Sequence, residues 1–131
     1  MKHKWPLLII VCLLAIVTHA IASEKPPLSP EELQSKLKNG EALLIDVREP
    51  PEFTSGVLKE ALLLPMSDLR GDRDDWKPVL EKAGDKMLIL YCRTGNRSGQ
   101  VSKTLTKEGY STLNLGGFLE LEALGYPTRT P

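Results

Sequence analysis

The sequence predicts an α/β fold with a mainly parallel central sheet, and three features point to it. Short, nearly all-apolar runs, of which Lys86–Tyr91 is the strongest, have the composition of strands buried on both faces. Segments with helix-start signals and one apolar face alternate with these runs, as they do when helices cover a parallel sheet. Gly or Pro stands at most of the junctions, where the chain must change direction.

Taken in order, Ser23–Leu28, with Pro26 and Pro27, reads as an extended lead-in. Ser29-Pro30-Glu31-Glu32 then predicts a helix start: a serine cap, proline at the first helical position and glutamate three residues after the cap. Leu33 and Leu37 share its inner face, and Gly40 stops it. Ala42–Val47 follows as a buried strand, closed by Asp46-Val47-Arg48-Glu49-Pro50-Pro51, whose prolines predict a turn. Glu52–Ser55 is expected to form one helical turn before Gly56, and Ala61–Leu64 a second short strand before Pro65. Ser67–Asp75 is polar and charged, without a periodic pattern. Trp76–Lys82 is amphipathic, with Val79 and Leu80 inward and Gly84 as its stop. Lys86–Tyr91 delivers Cys92 at its C-terminal end, Arg93–Asn96 is a loop, and a helix is expected from Arg97 or Ser98 to Glu108, with Val101 and Leu105 facing the core. Thr112–Leu115 is a last strand, and Phe118–Leu124 a final helix before Gly125-Tyr126-Pro127.

The 131 residues suit one domain. Apolar residues make up 41% and charged ones 26%, with 17 Lys and Arg against 17 Asp and Glu, so the chain has neither the bias of a disordered segment nor the basic footprint of a nucleic-acid-binding protein. Residues 1–22 read as a cleaved signal peptide: Lys2 and Lys4, an apolar run from Trp5 to Val17, then Ala20-Ile21-Ala22. That run is shorter than the roughly 20 residues that span a bilayer, so export to the periplasm with cleavage before Ser23, and no stable membrane insertion afterwards, is expected. Residues 23–131 then form the single domain.

Both histidines, His3 and His19, fall in the leader with Cys12, so the expected mature chain has no imidazole and one thiol, Cys92. A Ser-His-Asp triad, a Cys-His dyad and a histidine-ligated zinc site are excluded on that expectation, and neither metal nor cofactor is called for. A lone cysteine in an exported protein points to a reactive thiol. Placed between a strand end and a helix start, Cys92 faces the positive end of a helix and unpaired backbone N–H groups, both of which favour the thiolate. Gly95 lets the following backbone curl into an anion-binding nest, Arg93 and Arg97 add positive charge, and Thr94, Asn96 and Ser98 offer further donors.

Cys92-Arg93-Thr94-Gly95-Asn96-Arg97-Ser98 resembles the active-site loop of single-domain rhodaneses, and Asp46-Val47-Arg48-Glu49-Pro50 resembles their upstream signature. Gly109-Tyr110, Asn114-Leu115-Gly116-Gly117 and Gly125-Tyr126-Pro127 follow in the family's order, so the likeness runs from about Leu28 to Pro127. Arg97-Ser98-Gly99-Gln100 and the leader are similar to the periplasmic, phage-shock type. Gly56–Ala61 departs from the family's usual Gly-His and Ile-Pro-Gly-Ala pattern, and the last helix lacks the usual Trp and is one residue short.

The resemblance implies a three-layer, rhodanese-like fold and sulfur transfer. Cys92 takes the outer sulfur of a small donor such as thiosulfate and passes it to a thiophilic acceptor such as cyanide or a thiol. Cys92 is then the nucleophile, Arg97 and Arg93 hold the donor's anionic end, and Thr94, Gly95, Asn96 and Ser98 complete the cradle. Asp46 and Arg48 are expected to hold each other or the neighbouring loop. Two other readings share these residues: a persulfide carrier or protein-binding module with little turnover, and a cysteine phosphatase or arsenate reductase. Phosphatase-type loops place one more residue between Cys and Arg than separates Cys92 from Arg97, which disfavours the latter.

Overall fold

A computed structural model describes residues 25–131; the proposed leader, Cys12 and the cleavage point before Ser23 lie outside them. Helix α1 (Pro30–Lys38) starts on the expected capping box: Ser29 Oγ accepts the Glu32 N–H at 3.1 Å while the Glu32 carboxylate accepts the Ser29 N–H at 3.3 Å. Strand β1 (Ala42–Asp46) follows, then a one-turn helix α2 (Pro50–Phe53). Pro50 and Pro51 thus open a helix instead of forcing a turn, since a proline ring sets the right φ for a first turn whose N–H groups lack partners anyway.

Strand β2 (Val57–Leu58), strand β3 (Leu62–Leu63), helix α3 (Met66–Arg70) and helix α4 (Trp76–Ala83) lead to the long strand β4 (Met87–Cys92). Helix α5 (Asn96–Lys107), strand β5 (Thr112–Gly117), helix α6 (Phe118–Ala123) and strand β6 (Thr128–Arg129) complete the chain. The polar stretch before α4 is ordered by Asp68, whose carboxylate accepts the N–H groups of Asp74, Asp75 and Trp76 and so caps α4 from outside.

The main sheet is parallel throughout, in the order β3-β1-β4-β5, and β2 pairs antiparallel with β6 beside it. Successive β4 residues feed opposite cores, as the two-residue period of a strand requires. Leu88, Leu90 and Cys92 pack with Ile45, Trp76 of α4 and Leu105 of α5, whereas Ile89 and Tyr91 pack with Leu33 of α1 and Leu121 of α6. The α/β, three-layer expectation is therefore what the chain forms, with β4 at its centre. No helix of the described residues is long and apolar enough to cross a membrane.

Candidate active site

Cys92 ends β4, and the chain turns at once into α5 through Gly95, whose φ of +94° is the left-handed conformation that glycine adopts without strain. This turn aims the Gly95 N–H at the Cys92 sulfur, with N to Sγ at 3.0 Å. Ser98, on the first turn of α5, donates its hydroxyl to the same sulfur at 3.3 Å. Burial works against ionisation of Cys92, but the Ser98 hydroxyl and the backbone N–H groups of Ser98, Thr94 and Gly95 outweigh it. The thiol is held below its ordinary range. Cys92 is only 1% exposed, so its chemistry is open to a terminal atom reaching in and closed to a bulky group lying over it.

A residue 16 positions beyond Ser98 holds this arrangement. Asn114 of β5 places Oδ1 2.7 Å from the Ser98 hydroxyl, where it competes with the sulfur for that group's single proton, and donates from Nδ2 to the Gly95 carbonyl at 2.8 Å. One amide thereby aligns both groups that touch the sulfur. Asn114 was visible in the sequence only as part of a resembling motif, because the contact exists only once β5 lies beside β4.

The β4–β5 register slips between Leu90 and Tyr91, so that Tyr91 and Cys92 face Gly116 and Gly117. A Cβ on Gly117 would lie 2.5 Å from the Arg93 carbonyl oxygen and 3.0 Å from the Thr94 Cα, both on the backbone of the loop. Gly117→Ala is therefore expected to push the loop aside and to slow reaction at the Cys92 sulfur roughly 100-fold, the scale of a 1 Å misplacement. Steady-state kinetics of the purified variant, with its melting temperature, checks this. Full activity would mean that loop position does not matter.

The other predicted site residues separate. Arg97 does not reach the sulfur: its Nη1 and Nη2 each donate to a different oxygen of Glu52 at 2.7 Å, and Oε2 also accepts the Glu49 N–H at 2.9 Å. The paired Arg97 guanidinium draws the Glu52 carboxyl down to about 2 against the opposing effect of burial. Arg93 is exposed, and among the described residues its side chain makes no hydrogen bond or ion pair. It lines a hollow of about 300 Å³ with Arg48, Glu52, Ser55, Phe118 and Leu119; Arg93 follows Cys92 in the chain and Phe118 follows Gly117. Thr94 contributes its backbone; it is exposed and lines a second hollow with Asn114 and Lys25. Asn96 is exposed and accepts from Gln100 at 3.1 Å.

Asp46 and Arg48 hold each other. The buried Asp46 carboxylate accepts from Arg48 Nε at 3.0 Å and Nη2 at 2.7 Å, and from the Arg48 backbone N–H at 2.9 Å. The guanidinium also donates to the Gly56 carbonyl at 2.7 Å and sits 4.3 Å from the Phe118 ring centre. It is the floor of the hollow.

Comparison with known proteins agrees with this fold. The family model "Rhodanese-like domain" matches residues 29–123. A protein of Allochromatium vinosum named "Sulfurtransferase" is 34% identical over 111 residues, covering 77% of this chain and 92% of that protein. An uncharacterized protein of Synechocystis is 34% identical over 103 residues, covering 77% of this chain but 54% of its own length, so the chain spans about half of that relative. Among solved structures, a rhodanese-related protein of Thermoplasma volcanium aligns with a TM-score of 0.63 at 25% identity, covering 82% of this chain and all of that one. With fold and sequence in agreement over the same stretch, the chain belongs to the rhodanese-like domain family.

Proposed function

We propose that the protein is a thiosulfate sulfurtransferase of the periplasmic, phage-shock type. The observation that carries the reading is the Cys92 sulfur facing a backbone N–H and a serine hydroxyl at a strand-to-helix turn, where the thiolate is favoured. In the first step the thiolate attacks the outer sulfur of thiosulfate. A Cys92 S–S bond forms, and the donor's S–S bond breaks with its electron pair leaving on sulfite. In the second, cyanide or a thiolate attacks the outer sulfur of the persulfide and the Cys92 thiolate departs. The same donors, held by Asn114, face the sulfur that must leave as a thiolate in the second step.

One measurement tests activity and export together: intact mass of the full chain expressed in a bacterium with a periplasm, recovered from that compartment and incubated with thiosulfate. The expected mass is that of a chain beginning at Ser23 with one extra sulfur atom. A chain retaining Met1 refutes cleavage, and an unchanged mass at Cys92 refutes sulfur uptake. A carrier with little turnover would gain the sulfur atom yet release no thiocyanate on addition of cyanide.

A further inference from the structure

The hollow lined by Arg93, the residue that follows Cys92, has an unusual charge balance. Arg48 is cancelled by Asp46 at 2.7 Å beneath it. Arg97 is cancelled by Glu52, which itself lines the hollow, through two hydrogen bonds of 2.7 Å. Arg93 alone, among the described residues that line it or reach its wall, carries a positive charge without an acidic neighbour in hydrogen-bond contact. Thiosulfate brings two negative charges to a site that offers one uncompensated positive charge. Phe118, buried, and Leu119, 64% exposed, also line the hollow, so Leu119 gives it an exposed apolar surface that nothing in thiosulfate covers.

Building on the sulfurtransferase reading, we propose that Glu52 is a specificity-determining residue. By occupying Arg97 it leaves Arg93 as the one unpaired cation among the described residues that line the hollow, and matches the site to singly charged sulfur donors with an apolar group, of the thiosulfonate class. The reaction balances as for thiosulfate. The Cys92 thiolate attacks the terminal sulfur of R–SO2–S−, and the new S–S bond forms as the S–SO2 bond breaks. The electron pair leaves on the sulfinate R–SO2−, with two negative charges before and after. Arg97 then acts as a positioning residue: it holds Glu52, and through it the N-terminus of α2, against the first turn of α5.

The test compares kcat/KM for thiosulfate and for benzenethiosulfonate at low salt in wild type, Glu52→Gln, Arg97→Gln and the double variant. Their uncompensated charges at the hollow are +1, +2, 0 and +1. The two donors differ by one charge, so the thiosulfate-to-benzenethiosulfonate ratio is expected to rise roughly three- to tenfold in Glu52→Gln and to fall by a similar factor in Arg97→Gln. It should return to within about twofold of wild type in the double variant, and all differences should shrink as salt is added. A purely structural role for the pair would slow both donors alike and leave the ratio still. A constant ratio across the four proteins overturns the proposal, as does a double variant that follows Arg97→Gln, which would place Arg97 itself on the donor. Failure of wild-type Cys92 to gain sulfur from either donor overturns the sulfurtransferase reading, and this inference falls with it.

Discussion

Cys92→Ser is expected to abolish sulfur transfer, taking thiocyanate formation from thiosulfate and cyanide below detection, a loss of at least roughly 10³-fold. A serine hydroxyl does not ionise in the range where the thiol does, and it cannot form the S–S bond on which both steps depend. The surrounding loop should survive the change. The Gly95 N–H can donate to an oxygen in place of sulfur, and Asn114 still grips Ser98 and Gly95. The melting temperature should therefore move by only a few degrees, as for a substitution worth about 1 kcal/mol in a domain of this size. Wild-type activity in the presence of a chelator should be unchanged. Substantial turnover by the variant, or loss of wild-type turnover to the chelator, would remove Cys92 from the centre of the reaction.

The largest effect on stability is expected from Arg48→Met. Asp46 is fully buried, and its carboxylate takes three of its four hydrogen bonds from the Arg48 side chain. Removing the guanidinium strands a buried charge, which costs about 3–5 kcal/mol out of a total stability of some 5–15 kcal/mol. The contact with Phe118 and the bond to the Gly56 carbonyl go with it. In urea denaturation the variant should unfold at markedly lower concentration, and its Tm should fall by more than about 10 °C. Asp46→Leu combined with Arg48→Met, which removes both charges, should recover part of the loss. A single variant that loses less than about 1 kcal/mol, or a double variant worse than the single, would show that the pair is not what holds this part of the core.

Much of this was legible in the sequence where the cause is local. The α1 capping box is written in four consecutive residues, and the apolar run before Cys92 names β4 without help from any other element. The Cys92–Ser98 loop is read the same way, since a strand end, a glycine and a helix start lie within seven residues. What escaped is what needs a distant partner. Strands β2 and β6 have two residues each and no pattern of their own; Val57 and Leu58 are strand because Arg129 and Thr128 lie opposite them. Helix α3 and the order of residues 67–75 depend on where Asp68 meets the start of α4. The roles of Glu52 and Asn114 were hidden for the same reason. One is 45 residues from Arg97 and the other 16 from Ser98, and neither distance corresponds to a turn, a helix face or a strand period.

The place of β4 between β1 and β5 has a consequence for the order in which the protein assembles. Parallel neighbours must come from distant parts of the chain, and here the two are Ala42–Asp46 and Thr112–Gly117. Contacts of such long sequence separation form late, because the closure entropy of the intervening chain is lost before pairing rewards it. As the chain emerges from N- to C-terminus, β4 can pair with β1 but stays open on its other edge until Gly117 has been added. Asn114 arrives on that strand, the last of the main sheet to be made, so the groups that face the Cys92 sulfur are aligned only when the domain is nearly complete. A partly folded chain carries the nucleophile but not its activation, and reactivity marks the finished fold.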